Sequence, residues 1–170
     1  MPLTTRSGDS GETSLNTSDR VRKDNPVVEA LGAGEELNAR LGLAKLHMDR
    51  FKETVTRFQR SIVQIMAVIS SMGRAKYNDL DKENNFLDVL VEEYGRDIGV
   101  ELKGFVIPGT DIPSAEFHVA RASCRQFERR VVSLQDLFAL EPNILRYINR
   151  LSDVLYLMAV ITAKGAPEED

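Results

Sequence analysis

PNILRYINRLSDVLYLMAVITAKG, residues 142–165, opens on proline and closes on glycine, the punctuation of a helix that begins and ends within the stretch. Between them Ile144, Leu145, Ile148, Leu151, Leu155, Met158 and Ile161 recur at steps of three and four and share one side. The apolar run inside it, VLYLMAVI at 154–161, is far too short to cross a bilayer. Such a helix must bury its apolar side against other elements.

The chain upstream supplies them. RASCRQFERR, residues 121–130, belongs to a helix expected from near Pro113 to about Leu134. The segment KGFVIPGTDIP, 103–113, precedes it as a loop rich in glycine and proline. Phe86, Leu87, Leu90, Val91 and Tyr94 mark a helix from about Asp81 to Ile98, and Val55, Phe58, Ile62, Ile65, Met66 and Ile69 mark another ending near Gly73. A first helix should start with Asn25 as cap and Pro26 in its first turn and run to about residue 48, with Val27, Leu31, Leu37, Leu41 and Leu46 as its apolar points. Five helices and no convincing strand predict an all-α fold, a five-helix bundle.

With 170 residues and 42% hydrophobic content, the chain suits one domain with a single core, residues 1–170, in which 1–24 is an N-terminal loop and 25–165 the bundle. A net charge of -4 offers no global attraction to nucleic acid or to an anionic membrane surface, so an anion site has to be local. The single cysteine, Cys124, excludes an internal disulfide and a multi-cysteine zinc site, and fits a small core position. No secretory signal or membrane span is read, and the expected location is cytoplasmic.

Residues 1–24 have loop composition without helical or strand periodicity. A disordered tail fits this, and so does a phosphate-cradling loop, because Gly8 and Gly11 flank Asp9 among hydroxyl side chains. Arg121, Arg125 and Arg129 step by only about 40° each around their helix, with Glu128 on the same strip. Asn149, Asp153, Arg146 and Arg150 repeat a four-residue spacing on the last helix. These polar groups fit a solvated face or a cleft between two helices that holds a phosphate-bearing anion. His118 and His47 are the only histidines, too few for a histidine-rich metal site, and the Glu-x-x-His spacing of carboxylate-bridged metal bundles is absent. No Walker loop or dinucleotide glycine fingerprint is present.

Four blocks in order resemble the PduO-type ATP:cob(I)alamin adenosyltransferases: TTRSGDSGETSL at 4–15, DRVRKDNPVVEALGAGEELN at 19–38, FVIPGTDIPSAEFHVARASCRQFERRVV at 105–132 and NILRYINRLSDVLYLMA at 143–159. The resemblance implies a ferritin-like five-helix bundle that assembles as a homotrimer with sites between subunits. It implies transfer of the 5′-deoxyadenosyl group of ATP to the cobalt of cob(I)alamin, giving adenosylcobalamin and triphosphate, with Mg2+ on the ATP. A non-catalytic carrier or sensor of ATP or adenosylcobalamin is the alternative. A corrinoid reductase and an adenosylcobalamin-dependent mutase are the further partners implied.

By the same resemblance, Thr5, Arg6, Gly8, Asp9, Gly11, Thr13 and Lys23 fall to the nucleotide, Arg125 and Asn149 to the triphosphate with Glu128 beside them, and Phe105 to the lower face of the corrin. Arg121 would pair with Glu35 of a neighbouring subunit. Three positions depart from the family pattern: Glu35 stands for the usual aspartate, Thr110 for a frequent glycine, and Glu12 brings an extra negative charge into the nucleotide loop.

Overall fold

The computed structural model describes residues 6–98 and 107–164, apart from the side chain of Lys164. Its helices are α1 (Pro26–Ala44), α2 (Lys52–Ser70), α3 (Leu80–Ile98), α4 (Ile112–Val132) and α5 (Pro142–Lys164), with a 3-10 turn at Asp49–Phe51 before α2. Asn25 caps α1 as expected, its side chain accepting the Val27 amide at 2.9 Å with Pro26 in the first turn. Asp111 caps α4 by accepting the Ser114 amide at 2.7 Å.

The expected end of α1 near residue 48 is too late. The helix stops at Ala44, the Lys45 amide closes it on the Leu41 and Leu43 carbonyls, and Leu46, expected on the apolar side, is 71% exposed beyond it. The absence of strands also needs correcting. Within residues 1–24, Glu12–Ser14 (β1) pairs antiparallel with Arg20–Arg22 (β2), Thr13 opposite Val21. Two three-residue strands are too short to show a period of two, and the ribbon is held by what it packs on: Leu15 is buried in the core, and the Asn16 amide donates to Ser70 Oγ at 3.2 Å.

Around the bundle the closely packed neighbours run α3–α5–α4–α1–α2. Phe51 anchors the middle, edge-on to Tyr94 of α3 and Phe117 of α4. Leu37, Leu41, Phe58, Ile62, Phe127, Tyr147 and Leu151 are fully buried with it. Each buried apolar side chain of this size stabilises by about 1.5–3 kcal/mol, against about 0–1 kcal/mol for an exposed pair such as Arg40–Glu36, so apolar faces rather than ion pairs decide the packing.

The α1–α4 contact depends on Gly34. A Cβ there would lie 2.8 Å from Met66 Sδ and 3.1 Å from Phe127 Cε2. Met66 can move but the Phe127 ring is enclosed, so Gly34→Ala should lower stability by about 1–3 kcal/mol. Gly95 in α3 meets nothing within 4 Å, and Gly95→Ala should stabilise by about 0.5–1 kcal/mol through helix propensity. Thermal denaturation of the two variants checks this; shifts of the same sign would contradict the packing described.

Candidate active site

Two features carry the charged residues singled out in the sequence: the outer strip of α4 against α5, and the N-terminal ribbon. On α4, Phe117, Ala120, Cys124, Phe127 and Val131 face inward. Burial pushes the Cys124 thiol well above its ordinary value, and its Sγ is 3.3 Å from the Ile148 carbonyl, as expected of an inert core residue. With that side fixed, Arg121, Arg125, Glu128 and Arg129 fall toward the outside. Asn149 Nδ2 of α5 donates to Glu128 Oε1 at 3.0 Å, while Arg125 beside it is exposed. The Asn149–Glu128 bond orients an amide and a carboxylate from two helices next to the Arg125 guanidinium.

One turn toward the N-terminus of α4, the strip changes character. Arg121 Cζ stands 5.1 Å from the centre of the Tyr156 ring, and His118 meets the same ring edge-on at 6.1 Å. Burial, and then the charge of Arg121, hold the His118 pKa below its ordinary value, so the imidazole is neutral at neutral pH. Its Nε2 is buried and has no hydrogen-bond partner among the described residues. Tyr156 was not singled out from sequence, although it lies seven residues after Asn149, hence on the same helical side.

Arg146 and Arg150, by contrast, do not join this cleft. Both turn to α3 and bind Asp88, at 2.7 Å and 2.9 Å. The four-residue spacing on α5 thus divides between two faces: Asn149 serves the α4 side, and the arginines tie α5 to α3.

In the N-terminal segment, Gly11 adopts φ +82°, a conformation costly for other residues, and its carbonyl accepts the Lys23 amide at 2.9 Å. This bond brings Lys23 back over Gly8: a Cβ on Gly8 would lie 3.2 Å from Lys23 Nζ, so the ammonium rests on bare backbone. Arg6, at φ 57°, and Asp9 are exposed on the same loop, and the Asp9 amide donates to the Arg6 carbonyl at 3.3 Å. Thr13 is half-buried in the middle of β1. Thr5 and Phe105 lie outside the described residues. The arrangement is one ammonium, exposed backbone and a glycine turn, which suits a phosphate chain.

Glu12, the unexplained charge, is tied up. Arg20 Nε donates to Glu12 Oε2 at 3.2 Å across the ribbon, and Arg20 Nη2 donates to the Ser7 carbonyl at 2.9 Å. Its carboxylate therefore holds the arginine that holds the loop, a role not readable before the strands were known to pair.

The family model for cobalamin adenosyltransferase matches residues 3–162. The corrinoid adenosyltransferase of Citrobacter freundii is 34% identical over 92% of both chains, and that of Bacillus subtilis 33% identical over 97% of this chain and 89% of its own. The chain belongs to the cobalamin adenosyltransferase family. A PduO-type ATP:corrinoid adenosyltransferase variant from Lactobacillus reuteri, solved with cobalamin and ATP, has the same fold, with a TM-score of 0.88 at 23% identity over 96% of this chain and 91% of that one.

Within this family member, Glu35 on α1 and Arg121 on α4 form no ion pair with each other in a single chain, and Glu35 is exposed; α1 and α4 are bridged instead by Glu29 and Arg130 at 3.3 Å. Among the described residues no helix is long and apolar enough to cross a membrane, and no three His, Cys, Asp or Glu side chains are grouped to hold a metal ion.

The Glu12–Arg20 pair is half-exposed, so it contributes about 0–1 kcal/mol. Glu12→Ala should accordingly leave the melting temperature nearly unchanged, yet speed hydrogen exchange at the Gly11 and Lys23 amides by up to about fivefold. Unaltered exchange at both amides would show that Arg20 does not organise the loop.

Proposed function

We propose that this chain transfers the 5′-deoxyadenosyl group of ATP to the cobalt of cob(I)alamin. The C5′–O5′ bond breaks, a Co–C5′ bond forms with the electron pair of the cobalt, and triphosphate leaves with O5′. The observation that carries this reading is a pair of cationic groups in a family member: Lys23 against the Gly8 backbone, and Arg125 beside the Asn149–Glu128 bond.

The residue set suits a reaction whose nucleophile needs no activation. Cob(I)alamin is already strongly nucleophilic, so no general base is required, and the neutral His118 and inert Cys124 agree with that. What must be supplied is position and positive charge where the leaving triphosphate accumulates negative charge. Thr5, Arg6, Gly8, Asp9, Gly11, Thr13 and Lys23 hold the nucleotide, and Arg125 and Asn149 the phosphates. Mg2+ carried on the ATP would supply further positive charge to the leaving triphosphate, and Glu128 is the carboxylate beside Asn149 and Arg125. Phe105 takes the lower face of the corrin and excludes a ligand from cobalt, which makes Co(II) easier to reduce.

The working form is a homotrimer with the sites between copies. Glu35, exposed and unpaired in one chain, meets Arg121 of the next, reaching one methylene further than an aspartate would. The exposed Val132, on the same side of α4 as Arg121, supports a covered surface there. A corrinoid reductase supplies the electron, an adenosylcobalamin-dependent mutase takes the product, and the reaction is cytoplasmic.

The direct test is an anaerobic assay of the purified protein with chemically reduced cob(I)alamin and MgATP, following the corrin absorbance and the phosphate released. Adenosylcobalamin with triphosphate is expected; ATP-dependent corrin binding without product would mark a carrier instead. Arg125→Ala should lower kcat/KM for ATP by roughly 10²–10³-fold, and unchanged kinetics would remove the phosphate role. Phe105→Ala should leave ATP affinity nearly intact while suppressing turnover from cob(II)alamin. Equal rates from both oxidation states would contradict the lower-face role.

A further inference from the structure

α2 and α3 are joined by side chains rather than by close backbone packing: Arg57 binds Glu83 at 2.7 and 3.1 Å and Phe58 meets Phe86, while Ser61 Oγ lies 3.0 Å from the hydroxyl of Tyr77 in the segment ahead of α3. The separation leaves a cavity of about 570 Å³, lined by Arg57, Arg60, Ser61 and Gln64 of α2, by Lys76 to Asp79 ahead of α3, and by Lys82 and Glu83 of its first turn. Arg125 and Asn149 are not among these residues.

Its charge is unbalanced. Glu83 is neutralised by Arg57, whose guanidinium is also stacked 3.6 Å from the Phe86 ring, so that arginine is fixed in place. Both bonds to Glu83 use Nε and Nη2, leaving Arg57 Nη1 without a protein partner among the described residues. Among the described residues Arg60, Lys76 and Lys82 form no ion pair, and of the lining carboxylates Asp79 is left to oppose them. In the first turn of α3 the Leu80 and Glu83 amides donate to the Tyr77 and Asp79 carbonyls, and the helix dipole there favours an anion. Behind Ser61, the fully buried Tyr147 hydroxyl adjoins the serine but has no well-formed hydrogen bond among the described residues.

We propose that this cavity is a second anion site, for an oligophosphate chain, free or carried by a nucleotide. Three unpaired cations on three separate segments suit several phosphate oxygens at once, whereas a single carboxylate would leave most of them unmatched. The volume exceeds what one phosphate fills. The site shares no lining residue with the Arg125–Asn149 group, so it does not depend on the reaction assigned above.

The test is calorimetric titration of the full chain with inorganic pyrophosphate, comparing the wild type, Arg60→Gln/Lys82→Gln and Arg125→Ala/Asn149→Ala. Arg60 and Lys82 are exposed and carry no packing, so their replacement leaves folding intact. The first double variant should lose one of two wild-type binding events, its affinity at the cavity falling at least about tenfold with the loss of one or more charge-assisted contacts, and with kcat and KM for ATP unchanged. The second should retain a binding event of wild-type affinity. Unaltered binding in Arg60→Gln/Lys82→Gln would overturn the proposal, as would complete loss in Arg125→Ala/Asn149→Ala or no heat up to about 10 mM, a concentration beyond any specific site. ADP titrated into Arg125→Ala/Asn149→Ala separates the sources. Affinity equal to that of pyrophosphate assigns the phosphate chain alone, and tighter binding assigns the nucleotide; both retain the site.

Discussion

The close approach of α4 to α1 is the constraint on which the rest depends. It is possible because Gly34 presents no side chain to the Phe127 ring and Met66, and it buries the whole inner side of α4. A helix held that firmly on one side has no freedom to rotate. The residues at four-residue spacing on its other side are thus delivered to fixed positions against α5, without any interaction among themselves having to hold them.

Charge is then distributed by which neighbour each arginine meets. Arg146 and Arg150 are consumed by Asp88 and fasten α5 to α3; Arg130 is consumed by Glu29 and fastens α4 to α1; Arg57 is held by Glu83. Among the described residues Arg121 meets an aromatic ring and no carboxylate, and Arg125 stands exposed beside an amide and a carboxylate. A guanidinium paired with a carboxylate has less charge and fewer donors left for a phosphate, so the unpaired ones are the stronger candidates for an anion site. The same distinction separates the α2–α3 cavity from the ordinary charged surface.

The N-terminal ribbon follows a different logic. It is too short to be stable by itself, and it acquires shape by burying Leu15 and by Arg20 bridging Glu12 and the Ser7 carbonyl. A ribbon fastened by Leu15, the partly buried Val21, the Asn16–Ser70 bond and an exposed ion pair sits near the low end of local stability. That suits a segment that closes over a nucleotide.

The five helices, their caps at Asn25 and their inward faces were legible in the sequence, because helical periodicity and capping act within one or two turns and are written locally. The resemblance to a family was legible as well, since its motif residues are contiguous. The ribbon, the early end of α1 at Ala44 and the role of Glu12 were not, because each depends on a partner elsewhere in the chain. The division of the α5 polar residues between α3 and α4 was also invisible, because spacing states that two side chains share a side but not which helix lies against it. Sequence by itself determined the helices and the residue types able to hold a phosphate. Only tertiary structure decided which of those charges were already neutralised, because an ion pair forms between segments that the fold brings within a few ångströms.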